Sequence, residues 1–110
     1  MDNLITKDFN TSNGCKVGMK WADEGYGNWA TGSACVWTDE GESFNFSFEC
    51  KHFEKGSRFG IDNGRISKLG IRYEAPHRAI AAYDRGWSVT FDLYKKAIDA
   101  VYEAILTEFN

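Results

Sequence analysis

Between Ser43 and Phe53 apolar and polar residues alternate without a break. Phe44, Phe46, Phe48 and Cys50 are interleaved with Asn45, Ser47, Glu49 and Lys51. A period of two sends one set to each face of an extended chain, so the stretch predicts a strand with one buried and one wet face. A helix would scatter those phenylalanines around its cylinder. The same period recurs in Lys16–Ala22, where Val17, Met19 and Trp21 share a face, and Trp29–Thr38 is rich in Val, Thr and Trp. Arg65–Tyr73 predicts a further strand with Leu69, Ile71 and Tyr73 on one side and Lys68, Gly70 and Arg72 on the other. Ile66 falls out of phase with that trio, which points to a bulge or an irregular start. Arg78–Gly86 is readable as strand or short helix, and its turn-like ending favours a strand.

The period changes after Thr90. Tyr94, Ile98, Val101, Ile105 and Phe109 recur at steps of three and four, predicting an amphipathic helix over Thr90–Phe109. Thr90 is placed to cap it, Asp92 to complement its dipole, and Lys96 to pair with Asp92 one turn away. Residues 1–14 are polar and read as an irregular lead-in, residues 15–86 as an antiparallel sheet, and residues 90–109 as the helix. A sheet with one apolar face and a helix with one apolar stripe bury each other. The expected fold is therefore a single two-layer α+β domain, a meander of about five strands covered by the C-terminal helix.

Length and composition narrow the class further. At 110 residues the chain can form one modest core. It has no run near the roughly 18 apolar residues of a membrane span, and its start lacks the basic and apolar regions of a secretory signal, so a cytoplasmic location is expected. The three cysteines are widely spaced and form no C-x-x-C pair. With His52 and His77 they make no zinc pattern, so neither metal nor cofactor is expected.

The formal charge of −3 is unevenly distributed along the chain. Residues 55–85 carry Lys55, Arg58, Arg65, Lys68, Arg72, Arg78 and Arg85 against three acids, while both flanks are acidic. Such a block is ordinarily a solvated face. Its other reading is a surface for a nucleic acid or an acidic partner, with Arg58, Arg65, Lys68, Arg72 and Arg85 as the binding residues.

Few residues look like chemistry. Gly60, Gly64 and Gly70 in "FGIDNGRISKLGI" lack the spacing of a dinucleotide loop, and a strand rather than a helix follows them. Asp62-Asn63-Gly64 reads instead as the tight turn of a hairpin. Cys50 and His52 share a strand face, but Cys50 stands in line with three phenylalanines, which predicts burial rather than nucleophilic use. The acids Asp23-Glu24 and Asp39-Glu40 with Glu42 lie in glycine-containing turns, where carboxylates bond locally to the backbone. Trp21, Tyr26, Trp29, Trp37, Tyr73, Tyr83 and Trp87 either complete the core or, where exposed beside Lys and Arg, offer stacking surfaces and protein hot spots.

The words "GRISKL" and "YDRGW", with the amphipathic helix after them, resemble a family of small uncharacterised proteins from phages and mobile elements of Gram-positive bacteria. The resemblance covers about residues 58–110 and transfers no functional residue. It implies a gene context in which small acidic proteins without catalytic groups are often inhibitors of host defence, anti-CRISPR proteins among them. The expected function is a non-enzymatic inhibitor that binds a CRISPR effector nuclease or its guide RNA, with no small-molecule substrate and a homodimer possible. The alternatives are a nucleic-acid-binding module built on the 55–85 region and a small enzyme centred on Cys50 and His52.

Overall fold

The computed structural model describes residues 4–25, 27–58, 60–61, 64–73, 78–84, 87–90 and 95–110, with the backbone alone at 78–82, 84 and 87–90. Seven strands form one antiparallel sheet in sequential order: β1 Ile5–Asn10, β2 Lys16–Asp23, β3 Trp29–Trp37, β4 Ser43–His52, β5 Ile66–Tyr73, β6 Arg78–Asp84 and β7 Trp87–Thr90. One helix, α1 Lys95–Phe109, follows and packs over β2 and β3. The two-layer α+β meander expected from the periodicity is the fold. All five predicted strands are present, and two more flank them.

The first addition corrects the irregular lead-in. Ile5–Asn10 pairs along its whole length with β2, from Ile5 opposite Trp21 to Asn10 opposite Lys16. Nearly every residue of β1 is exposed, because it is the edge of the sheet, and edge strands keep charges such as Lys7 and Asp8 that a hydrophobic pattern does not detect. The second addition is β7, which takes Thr90 out of the expected helix. Thr90 lies at the end of this strand, and residues 91–94, Asp92 and Tyr94 among them, lie outside the described residues. Lys96 pairs with Asp39 and, at 3.6 Å, with Glu40, and Lys95 pairs one turn along the helix with Asp99 at 2.9 Å.

The core lies between helix and sheet. Ala97, Ile98, Ala100, Val101, Ala104, Ile105 and Phe109 of α1 meet Val17, Met19 and Trp21 of β2, Phe46, Phe48 and Cys50 of β4, and Ile66, Leu69 and Ile71 of β5. Phe109 stands edge-on to Trp21 at 5.4 Å between ring centroids. Gly32 makes room for this packing. It lies between Trp21 and Phe48 in register, and a Cβ there would come within 2.7 Å of the Trp21 Cα and Cβ.

Two similar turns join β1 to β2 and β3 to β4. In "TSNGC" the N–H of Gly14 donates to Thr11 O at 3.1 Å, and in "TDEGE" that of Gly41 donates to Thr38 O at 3.1 Å. Gly14 and Gly41 have φ of 85° and 86°, the left-handed conformation these loops need at their fourth residue. Both turns hold the start of the helix, since Asn13 Nδ2 donates to Lys96 O at 2.9 Å while Asp39 takes the Lys96 ammonium.

Between Lys51 and His52 the β4–β5 register shifts, so that Lys68 faces Lys51 and Ile66 faces His52. Ser67 is the extra residue of the bulge that the phase of Ile66 predicts, and its hydroxyl donates to Lys51 O at 3.3 Å. The hairpin, however, is larger than expected. It joins β4 to β5 through residues 53–65, and Ile61 before the turn is not in a strand. The N–H of Gly64 does close a turn onto Ile61 O at 2.8 Å, while Asp62 and Asn63 lie outside the described residues.

Candidate functional site: the open face of the sheet

The helix occupies one side of the sheet, and on β1–β5 the alternation that buries Val17, Phe46 and Ile71 delivers the intervening residues to the other side. That face carries Thr6, Asp8 and Asn10 from β1, Lys16, Gly18, Lys20 and Ala22 from β2, and Trp29, Thr31, Ser33, Cys35 and Trp37 from β3. Asn45, Ser47, Glu49 and Lys51 of β4 and Lys68, Gly70 and Arg72 of β5 complete it. Its described charges are Lys16, Lys20, Lys51, Lys68 and Arg72 against Asp8 and Glu49. A chain of net charge −3 thus presents a basic sheet face.

Aromatic side chains mark two ends of this face. Trp37 is 50 % exposed and Trp29 38 % exposed, at opposite ends of β3. Eight residues at about 3.3 Å each separate them by roughly 26 Å. Near Trp29, Phe53 is 41 % exposed and the Lys51 ammonium stands over its ring, 6.0 Å from the centroid. Trp29, Lys51 and Lys68 lie side by side on β3, β4 and β5. At the other end the Trp37 ring reaches across β2 to Gly18.

Of the five residues expected to bind, the strand register places Lys68 and Arg72 on this face. Arg72 Nη1 donates to Glu49 Oε1 at 2.7 Å, a half-exposed pair. Arg58 and Arg65 belong to the 53–65 connection, where Arg65 O accepts the Phe53 N–H at 3.0 Å. Arg85 lies outside the described residues. Lys16, Lys20 and Lys51 from the acidic half of the chain join Lys68 and Arg72 on this face. Strand parity carried this signal: once Val17, Met19 and Trp21 are assigned to the core, Lys16 and Lys20 must share the other face.

Cys50 and His52 both face the core. Burial, reinforced by the nearby Asp23 carboxylate, pushes the Cys50 thiol up to about 12, so it is a neutral thiol at physiological pH. His52 Nε2 lies 3.1 Å from Asp23 Oδ1 and its ring 5.1 Å from that of Phe109. Asp23 also accepts the Gly25 N–H at 2.8 Å, the local backbone bond expected of a turn carboxylate. Among the described residues no group of His, Cys, Asp and Glu could hold a metal ion, and no helix is long and apolar enough to cross a membrane.

The chain belongs to the family described as Domain of unknown function (DUF7678), which matches residues 28–110, from just before β3 through α1. No curated protein and no solved structure matches the chain.

Proposed function

We propose that this member of the family is a non-enzymatic binding domain whose open sheet face takes single-stranded nucleic acid. The observation that supports this reading is the convergence of exposed Trp29 and Trp37 with Lys16, Lys20, Lys51 and Lys68 on one uncovered face. Bases stack on aromatic rings without regard to sequence, and lysines spaced across the strands neutralise the phosphates. The small side chains between them, Ser33, Ser47 and Thr31, leave the surface shallow enough for a flexible strand. The buried Cys50 thiol supports the non-enzymatic part of the reading.

In the phage or mobile-element setting implied by "GRISKL" and "YDRGW", the strand would be the guide RNA of a CRISPR effector nuclease. Covering it would block assembly or target engagement and so give the anti-CRISPR inhibitor. Fluorescence anisotropy with a labelled single-stranded RNA at stepped salt tests the binding. Each phosphate contact contributes about −0.7 to the slope of log affinity against log salt, so three engaged lysines predict a slope of about −2. A flat response would remove the nucleic-acid reading.

A further inference from the structure

The Trp37 indole comes within 3.6 Å of the point where a Cβ on Gly18 would stand, and the Asp8 carboxylate comes within 3.3 Å of the same point. The bare backbone at Gly18 floors a depression of about 290 Å³ on the open face, walled by Trp37 and bordered by Lys20, Ser33 and Asn45.

Register arranges this region in two rows that cross the strands. Asp8, Gly18, Cys35 and Asn45 stand side by side on β1 to β4. Two residues further along the strands, Lys20, Ser33, Ser47 and Arg72 stand side by side on β2 to β5. The rows are about 7 Å apart, and each spans about 14 Å. The first has an aromatic wall, a floor without a side chain, and a polar group at each end. The second has a cation at each end and hydroxyls between them.

We propose, resting on the reading that the face takes single-stranded nucleic acid, that the phosphodiester chain follows the Lys20–Arg72 row and places one unpaired guanine against Trp37. A base stacked there lies over Gly18 and Cys35, with one edge towards Asp8 and the other towards Asn45. The Asp8 carboxylate only accepts hydrogen bonds. Guanine presents two adjacent N–H donors on its Watson–Crick edge. Adenine and cytosine set a ring acceptor beside the amino group, and uracil and thymine flank their single N–H with carbonyls, so a carboxylate meets repulsion from each. The Asn45 amide can donate towards N7 on the imidazole side of the same base. Arg72 keeps Glu49 while contacting a phosphate, because a guanidinium has five N–H donors.

The test compares a labelled thymidine octamer with the same octamer carrying one central guanine, by anisotropy at low salt. The wild-type protein binds the guanine octamer about tenfold more tightly. Asp8→Asn abolishes that preference while retaining the thymidine octamer, and Trp37→Ala weakens both octamers about tenfold. Far-ultraviolet circular dichroism shows whether each variant is folded. Equal wild-type affinities, or a preference that survives Asp8→Asn, overturn the guanine site and leave the general reading standing. Loss of binding in Trp29→Ala with none in Trp37→Ala overturns it likewise. If neither octamer binds wild-type protein, the nucleic-acid reading falls as well.

Discussion

Asn110 occupies the space that Gly64 leaves. Its Oδ1 accepts the Ile66 N–H at 2.9 Å and its Nδ2 donates to Ile61 O at 3.0 Å, so one side chain after α1 ties both sides of the turn before β5. A Cβ on Gly64 would overlap that amide. The glycine of "IDNGR" is thus needed for close approach, and its φ is not in the left-handed range that a hairpin turn of this sequence suggests.

Asn110→Ala leaves two backbone groups to find other partners and is expected to cost about 1–3 kcal/mol. Gly64→Ala displaces the same amide and should cost a similar amount. Combining the two should cost less than the sum, because both disrupt one contact. Chemical denaturation of the three variants checks this, and strict additivity would separate the residues.

The layers were legible in the sequence because burial on one side imposes a period. Phe44 to Cys50 defined a strand and Ile98 to Phe109 a helical stripe, and both lie where expected. What escaped notice lacks such a period. Ile5–Asn10 is an exposed edge strand, and its pairing depends on β2 rather than on its own apolar pattern. The turns of "TSNG" and "TDEG" share a pattern, but their grip on Lys96 is a contact across 57 residues or more that no local signal announces. The candidate face was hidden for another reason. Charge counted along the chain mixes the two sides of every strand, and only register separates Lys20 and Lys51 from their buried neighbours.

Gly32→Ala drives a methyl group into the Trp21 backbone, which cannot withdraw without breaking the β2–β3 ladder. Overpacking of this kind is expected to cost about 1–3 kcal/mol or more. Thermal unfolding should show a marked fall in Tm, whereas Ala34→Gly on the same face should be milder. An unchanged Tm for Gly32→Ala would contradict the packing of Trp21 against β3.

The cysteines should differ in reactivity. Cys35 is half-buried on the open face, whereas Cys15 and Cys50 are buried. A thiol reagent at pH 8 should modify Cys35 first and reach Cys50 only on unfolding. The raised Cys50 value also sets a sign. An unfolded thiol ionises from about 9 and the folded one from about 12, so its contribution to stability is complete below pH 9 and is lost as pH rises through this window. Rapid modification of Cys50 in the folded protein would revive it as a nucleophile.

Asp39 should titrate below the usual carboxylate range, held there by its hydrogen bond from Lys96. Its contribution is present above the ordinary carboxylate value and is lost as pH falls through the lowered one. Carbon-13 resonances of the Asp39 carboxyl should show a higher midpoint in Lys96→Met, and salt should narrow the difference. Identical midpoints at low salt would remove the link between α1 and the β3–β4 turn.

The open face itself is tested most directly by charge reversal on its two sides. Lys20→Glu with Lys68→Glu alters the uncovered face, whereas Lys7→Glu with Lys95→Glu makes the same charge change on the helix side. Both proteins should keep the wild-type circular dichroism. With a labelled single-stranded RNA, the open-face variant is predicted to lose at least about tenfold in affinity and about 1.4 units of salt slope, two contacts' worth, while the helix-side variant keeps its slope. Equal losses in the two proteins would mean that only net charge matters. Binding unaffected by the open-face reversal would contradict the account.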